Sequence, residues 1–210
     1  MELYFSPLAC SLATRIALYE AGAPATFTEV DAKTKLIAER DYREVYALAL
    51  VPALRLDGGP LLTENAAILP YVADQYPAAN LAPRDGLARA KLHAWLSFIG
   101  TELHKALFVP LLDAKASDEV KAYALAKGSA RLDYLQEQLR DREYLLDEFS
   151  VADAYLVTIL NWAVVTPVDL KRWPVIAAYA ARLRKRPSIA RAIEEERALF
   201  AAQESRHRAA

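Results

Sequence analysis

The stretch Leu3-Tyr4-Phe5-Ser6-Pro7-Leu8-Ala9-Cys10-Ser11-Leu12 decides how the chain begins to fold. The apolar run at residues 2–5 predicts a first β-strand, and the helical spacing over residues 11–20 predicts a first α-helix that ends at Gly22. Cys10, the only cysteine of the chain, is therefore placed at a strand-to-helix turn. The N–H groups and the dipole at the start of a helix favour a thiolate, so this position suggests thiol chemistry or thiol binding. The commoner alternative for a single cysteine is a small buried apolar side chain.

The rest of the first third of the chain alternates strands with helices. Further strands are predicted at residues 27–30, 51–56 and 61–63, with a tight turn at Asp57-Gly58-Gly59. Further helices are predicted at residues 42–49 and 64–76, the second kinked at Pro70, and residues 31–41 are predicted to be loop. This order predicts a small mixed sheet with helices packed on it.

The remaining two thirds of the chain predict helices alone. We expect an N-terminal domain at residues 1–78, a linker at 79–86 and an all-helical domain at 87–210. The predicted helices are one that ends near Pro110, then 117–140, 154–165, 175–185 and 188–201, followed by a frayed tail at 204–208. Ser150 and Asp153 have the spacing of a capping box.

Composition and charge exclude several classes of function. The net charge of -1 gives no reason to expect a nucleic acid or an anionic membrane as partner. No apolar run reaches the ~18 residues of a membrane span, and the first residues do not resemble a signal peptide. A single cysteine cannot form a disulfide within the chain, which fits a reducing cytoplasm. We therefore expect a cytoplasmic protein. No Cys/His cluster has zinc spacing, so we expect no metal.

Val51-Pro52 is a second candidate site. A proline that opens a strand can adopt a cis bond, and a cis turn can aim the N–H and C=O of Val51 outwards, towards an extended peptide. The alternative is an ordinary proline on an edge strand.

Thr63-Glu64-Asn65, at the mouth of a predicted helix, is a third candidate. Free N–H groups there favour a bound carboxylate, and Glu64 could accept an ammonium group. The pair suits the zwitterionic end of an amino acid. The alternative is N-terminal capping by Thr63 or Glu64.

The fourth candidate lies on the long helix before Pro110. Ser97, Thr101 and His104 have spacings that predict one common helical face, together with the small Gly100. If this face lined a cleft, His104 could donate to a ligand sulfur or carboxylate. The alternative is a solvated or hydrogen-bonded structural histidine.

These four sites together resemble the cytosolic glutathione S-transferase family, most closely the bacterial beta class. The opening stretch with Cys10 looks like the beta-class opening, and Val51-Pro52-Ala53-Leu54 looks like its cis-proline motif. Leu62-Thr63-Glu64-Asn65-Ala66-Ala67-Ile68 looks like the γ-glutamyl-binding motif. The resemblance implies a thioredoxin-like α/β N-terminal domain, an all-α C-terminal domain and a homodimer. It also implies that glutathione binds between the domains as co-substrate.

The resemblance also implies roles for individual residues. Cys10 would lie near the glutathione sulfur, hydrogen-bonding it or forming a mixed disulfide, and His104 would be the second catalytic residue. The implied binding residues of the first domain are Ser11 at the helix start, Lys35 for the glycyl carboxylate or thiol region, Val51 and Pro52 for the cysteinyl backbone, and Glu64 and Asn65 for the γ-glutamyl end. Those of the helical domain or the partner subunit are Ser97, Thr101, Glu102 and His104. By the fold, the pocket for the electrophile would use residues such as Leu8, Phe108 and Trp162.

The sequence departs from the family pattern at three places. The family usually carries Asn-Pro-x-Gly-x before its Val-Pro, where this chain has Tyr46-Ala47-Leu48-Ala49-Leu50, so we expect this loop to be built differently. Asn65 replaces a small Ser or Gly, and Ser97 replaces an Asn.

We therefore predict a glutathione S-transferase that conjugates the glutathione thiolate to small apolar electrophiles. A related prediction is thiol–disulfide activity through Cys10, as a reductase or peroxidase that releases glutathione from mixed disulfides. The alternative from another class is a binding or regulatory protein of this fold with weak or no catalysis.

Overall fold

The computed structural model describes residues 1–209, which form two compact units. The first unit comprises Met1–Leu81 together with the residues from Pro187 onward, and the second comprises Ala82–Arg186. The division at residues 78 and 87 stays a prediction about domains. The compact units differ from it because the last helix belongs with the first unit.

The first unit is built on a four-stranded mixed sheet. Its strands are β1 (Glu2–Phe5), β2 (Thr26–Glu29), β5 (Ala53–Arg55) and β6 (Leu61–Thr63), in the order β2-β1-β5-β6. The central strand β1 runs parallel to β2 and antiparallel to β5, and β6 runs antiparallel to β5. The predicted mixed sheet is confirmed.

Two helices that pack on each other accompany this sheet. Helix α1 (Leu12–Glu20) and helix α2 (Asn65–Gln75) each bury an apolar stripe, which includes Leu12, Ile16, Ile68 and Val72. Helix α2 contains Pro70 within its length, and the kink expected there stays a prediction. The first turn of α1 follows Cys10 by two residues.

The segment between β2 and β5 differs from expectation. The predicted loop at residues 31–41 contains a short hairpin, β3 (Leu36–Ile37) with β4 (Arg40–Asp41). The predicted helix at 42–49 is wrong, because only a 3-10 turn at Tyr42–Glu44 forms. The buried Tyr42 donates its hydroxyl to the C=O of Leu50, which folds the chain back on itself. Tertiary contact therefore overrides the local helix preference.

The altered loop before Val51 forms a turn in which Ala49 donates its N–H to the C=O of Tyr46. Ala49 has a φ of 49°, the left-handed conformation that favours glycine. The family pattern has its glycine at this position. This chain therefore has an alanine in place of the glycine, although the backbone at Ala49 has a conformation typical of glycine.

Helix α8 (Pro187–Ala209) completes the first unit by packing on α1. The prediction of a helix that ends at residue 201 and a frayed tail is wrong. Gln203 and Arg206 donate to the carboxylate of Glu29 at 3.1 and 2.6 Å, and His207 Nε2 lies 2.7 Å from Asp31 Oδ2. These contacts hold the last turns against the sheet edge and the loop that follows β2.

The second unit contains helices and turns. They are α3 (Gly86–Phe98), a π-helix (Ile99–Phe108), α4 (Val109–Leu112), α5 (Asp118–Leu139), α6 (Val151–Leu160), two 3-10 turns (Asn161–Val165 and Leu170–Arg172) and α7 (Pro174–Leu183). The predicted helix that ends near Pro110 is thus three consecutive helices. The helix predicted at 154–165 begins at Val151 and ends at Leu160. Within residues 1–209, no helix is long and apolar enough to cross a membrane.

The predicted capping box at the start of α6 is confirmed. Asp153 Oδ2 accepts hydrogen bonds from the N–H and the hydroxyl of Ser150, both at 2.9 Å. Asp153 Oδ1 accepts from the Leu145 N–H and the Tyr179 hydroxyl. One buried carboxylate therefore joins the start of α6 to α7 and to the segment before it.

Replacing Gly128 by Ala should lower the free energy of unfolding by about 1 kcal/mol. The added Cβ would lie 2.9 Å from the Leu107 Cγ, and the buried Leu107 cannot yield easily. Overpacking costs ~1–3 kcal/mol, which outweighs the ~1 kcal/mol that Ala gains over Gly in a helix. Gly100→Ala is the matched control, because its Cβ would meet only an ordinary contact with Tyr155 at 3.6 Å. Urea unfolding that ranks Gly128→Ala as stable as Gly100→Ala would contradict this packing.

Candidate active site

The Cys10 thiol lies against the backbone of Val51. Cys10 Sγ donates to the C=O of Val51 at 3.1 Å, and the residue is 9% exposed. The Val51–Pro52 peptide bond is cis. The structure thus brings together the first two candidate sites of the sequence, on one side of the first unit.

Ser11 and Ser6 fix the turn that carries this thiol. The Ser11 hydroxyl donates to the C=O of Ser6 and accepts from the Ser6 N–H, both at 3.3 Å, and Ser11 is fully buried. The hydroxyl of Ser6 donates to the C=O of Val30 at 2.7 Å. The side chain of Ser11 therefore holds the turn. That Ser11 contacts glutathione stays a prediction, and the contact would be made by its backbone.

Asn65 braces the same turn from the start of α2. Its Nδ2 donates to the C=O of Cys10 at 2.9 Å, and its Oδ1 accepts from the Thr14 hydroxyl at 3.0 Å. Asn65 is buried, so these bonds occupy its side-chain amide inside the unit. Its predicted role at the γ-glutamyl end stays a prediction for the backbone N–H. Sequence reasoning missed Thr14, although a polar residue within the apolar helix α1 is a signal for such a contact.

Glu64 presents an open carboxylate beside the N–H groups of α2. Its backbone has φ 68° and ψ 125°, a strained conformation of the kind that clusters at functional sites. The side chain is exposed and makes no capping hydrogen bond, so the alternative of capping by Glu64 is not formed. An open acid beside an uncapped helix start is the arrangement that the sequence predicted.

Lys35 lies on the loop between β2 and β3. Its N–H donates to the C=O of Asp31 and its C=O accepts from the Tyr42 N–H, both at 3.0 Å. Although burial raises the pKa of Asp31, hydrogen bonds from the Thr34 N–H and the His207 ring lower it, to about 2. The ionised Asp31 therefore ties this loop to α8 at neutral pH.

In the second unit, the predicted common face of Ser97, Thr101 and His104 is not formed. Ser97 and Thr101 are exposed, and the Thr101 hydroxyl donates to the C=O of Ser97 at 3.0 Å. His104 is buried instead. The i→i+5 bonding of the π-helix places more residues in each turn than an α-helix does, so spacings of 4 and 3 no longer align. Within residues 1–209, Glu102 accepts from Arg131 Nε at 2.8 Å.

His104 belongs to an aromatic cluster. Its Nδ1 lies 2.8 Å from the Tyr155 hydroxyl, and its ring meets that of Trp162 edge-on at 5.0 Å. The ring of Phe108 also meets that of Trp162, with ring centroids 6.1 Å apart. Burial lowers the pKa of His104 to about 4, and the neighbouring Lys105 adds to this effect. His104 is therefore neutral near pH 7.

The structure places the three predicted pocket residues in different units. Phe108 and Trp162 touch each other in the second unit, whereas Leu8 is half-buried in the first. No group of three or more His, Cys, Asp or Glu side chains within residues 1–209 could hold a metal ion.

Replacing Asn65 by Ala should lower the free energy of unfolding by about 1–3 kcal/mol, because it removes the partner of the buried Thr14 hydroxyl and one of the two hydrogen bonds that the Cys10 C=O accepts. Thr14→Val removes only one of the two hydrogen bonds and should cost less. Urea unfolding of both variants measures this order. An Asn65→Ala variant as stable as the parent would contradict the bracing role of the amide.

Replacing His104 by Gln should weaken the pH dependence of stability. The unfolded chain takes up a proton on this histidine as the pH falls through 6.5, whereas the folded chain does so only near 4. The free energy of unfolding of the parent protein therefore falls by on the order of 3 kcal/mol as the pH falls across this window. The variant lacks this histidine and does not show that loss. Urea titrations between pH 7 and pH 4, followed by tryptophan fluorescence, measure the difference. His93→Gln, an exposed histidine, is the matched control, and equal pH slopes for His104→Gln and the parent would contradict a buried neutral imidazole.

Comparison with known proteins adds a family to this geometry. The family model for the glutathione S-transferase N-terminal domain matches residues 9–75, and the model for the C-terminal domain matches residues 100–187. The chain is 40% identical over 199 residues to glutathione S-transferase GstA of Escherichia coli O157:H7, covering 93% of this chain and 98% of that protein.

Solved structures give the same result. A ternary complex of BphK, a bacterial glutathione S-transferase, superposes with a TM-score of 0.90 at 42% identity, covering 93% of this chain and 99% of that one. A sphingomonad glutathione S-transferase in complex with glutathione superposes with a TM-score of 0.89 at 44% identity, covering 93% and 98%. A bacterial beta-class enzyme from Sphingomonas chungbukensis is 46% identical, with a TM-score of 0.89 and the same coverage.

Proposed function

Since this chain belongs to the glutathione S-transferase family, we propose that it joins the thiolate of glutathione to small, apolar electrophiles. The observation that supports this proposal most directly is the contact of the Cys10 thiol with the Val51 C=O, just before the start of α1. Family membership confirms the predicted resemblance, the thioredoxin-like and helical fold, and the class of enzyme. The alternative of a binding protein without catalysis is not favoured.

The first unit offers a partner for each part of glutathione. The N–H of Val51 suits the cysteinyl backbone. The carboxylate of Glu64 suits the γ-glutamyl ammonium group, and the N–H groups at the start of α2 suit the carboxylate beside it. The Lys35 ammonium, which pairs with no acid within residues 1–209, suits the glycyl carboxylate. The complex of the sphingomonad relative with glutathione supports this choice of ligand.

The proposed transfer needs glutathione as a thiolate near neutral pH. Its thiol proton passes to water, and its sulfur forms a bond to the electrophilic carbon. In a substitution, the bond to the leaving group breaks and the leaving group keeps the electron pair. In an addition, the resulting carbanion takes a proton from water. The start of α1 and a hydrogen bond donated by Cys10 would stabilise the thiolate.

Cys10 would also take part in thiol–disulfide exchange. Its thiolate attacks one sulfur of oxidised glutathione, a new disulfide forms, the old one breaks, and a glutathione thiolate leaves. The step needs no further oxidant. A homodimer, a detoxifying role and a cytoplasmic location also remain proposals, which rest on the resemblance to the family. Sedimentation of the purified protein measures the first of these.

Titration calorimetry with glutathione tests the proposed function first. We expect a dissociation constant in the millimolar range or below. The absence of binding at millimolar glutathione would contradict the proposal.

Replacing Cys10 by Ala should abolish the mixed disulfide and change the conjugation rate less. Without the thiol no disulfide can form, whereas the start of α1 still stabilises a bound thiolate. Intact-mass measurement after oxidised glutathione and the rate with a chlorodinitrobenzene report the two activities. Cys10→Ser, which keeps a hydrogen-bond donor, is the control. If Cys10→Ala changed neither activity, Cys10 would have no role.

A further inference from the structure

We propose that Glu196, on the last helix, is a positioning residue that holds the loop of Cys10 in place and so controls access to its thiol. The predicted effect of Glu196 on glutathione binding rests on the proposed function, whereas its predicted effect on the reactivity of the Cys10 thiol does not.

Glu196 contacts the chain on both sides of Cys10. Its side chain is fully buried, and its Oε2 accepts from the N–H of Leu8 at 2.7 Å. Its Oε1 lies 2.9 Å from the Nε of Arg15, on the helix that follows the thiol. A residue more than 180 positions away in sequence thus bridges the loop before Cys10 and the helix after it.

The loop needs such a contact because Leu8 is strained. Its φ of 60° is left-handed, a conformation that a leucine adopts only where its surroundings impose it. A charge-assisted hydrogen bond to the Leu8 N–H supplies that constraint two residues before Cys10. When the bond is weakened, we expect the loop to open more often and the thiol to leave the Val51 C=O.

Arg15 places a buried positive charge beside the Glu196 carboxylate. Its guanidinium carbon lies 4.2 Å from the ring centroids of both Phe5 and Phe27, so two strands of the sheet hold it in position. Buried ion pairs are often no more stable than apolar replacements, so stability alone is a weak reason for an acid here. The hydrogen bond from the Leu8 N–H to Glu196 Oε2 gives this ion pair a second role, because it holds the loop that carries Cys10.

The other charged and titratable groups described around Glu196 lie on α1 and α8. From α8, Glu195 is partly exposed and accepts from Arg15, Tyr19 and Arg191. The strands β1 and β2 contribute the rings of Phe5 and Phe27. Burial raises the pKa of Glu196 to about 7, although Arg15 and the Leu8 N–H oppose this rise. The strength of the contact with Leu8 should therefore change within the neutral range.

The test uses the single cysteine as its own reporter. The full-length parent and the variant Glu196→Gln are labelled with iodoacetamide at pH 6 and pH 8, and the rates are read by intact mass. Gln keeps the shape and a neutral acceptor but cannot ionise. At pH 8 we expect the variant to be labelled about tenfold faster, because a neutral hydrogen bond is about half as strong as a charge-assisted one. At pH 6, where the parent carries the proton, the two rates should converge.

Two controls separate positioning from simple loss of stability. Glu194→Gln, an exposed acid on the same helix, should label like the parent at both pH values. Low urea concentrations should not accelerate the labelling of Glu196→Gln, because local opening exposes little surface. Equal rates for Glu196→Gln and the parent at pH 8, or a tenfold excess that persists unchanged at pH 6, would overturn the proposal.

Glutathione kinetics distinguish this inference from the proposed function. If glutathione binds, Glu196→Gln should raise the KM for glutathione several-fold with little change in kcat. If the parent does not bind glutathione, the proposed function fails while the labelling result still decides the role of Glu196. If the parent conjugates glutathione but labelling and KM are unaffected by the variant, this inference alone fails.

Discussion

The pairing of β1 with a strand on each side is the constraint on which the first unit depends. Tyr4 of β1 pairs with Ala53 of β5, and Phe5 pairs with Glu29 of β2. Because β5 runs antiparallel to β1, it begins at the edge where β1 ends. The chain that leaves β1 towards Cys10 and the chain that enters β5 through Val51 therefore meet. A slip of one residue in this register would turn every side chain of the strand to the other face and separate the two.

Three further contacts stabilise this meeting point, each from a different part of the chain. Asn65 holds the C=O of Cys10 from α2, Ser11 holds Ser6 across the turn, and Glu196 holds the N–H of Leu8 from α8. Each adds a hydrogen bond to a backbone polar group of the loop that carries Cys10. Hydrogen bonds from three separate parts of the chain thus hold the loop of Cys10 in place.

The features that depend on local sequence could be predicted. The strand at residues 2–5, the helix after Cys10, the turn at Val51-Pro52 and the capping box of Ser150 follow from short patterns, and the structure contains them. Features that depend on distant partners could not. The helix expected at 42–49 fails because the Tyr42 hydroxyl reaches Leu50, and no propensity describes that contact.

The site shows the same division. Glu64 was recognisable because an acid at a helix start has local meaning, but the amide of Asn65 bonds residues more than 50 positions away. The π-helix, which moved His104 away from the face of Ser97 and Thr101, had no signal in the residue spacing. Glu196 was missed, although its spacing from the buried Ile189 and Ala192 places it on the inner face of α8.

The most direct test of the account is a crystal structure of the protein grown with millimolar glutathione. We predict that the glutathione sulfur lies beside Cys10 Sγ, hydrogen-bonded or joined in a disulfide, with the cysteinyl backbone on Val51 and the γ-glutamyl end at Glu64. Glutathione bound away from Cys10, or a site with no glutathione in which Cys10 keeps its contact with the Val51 C=O, would contradict the account.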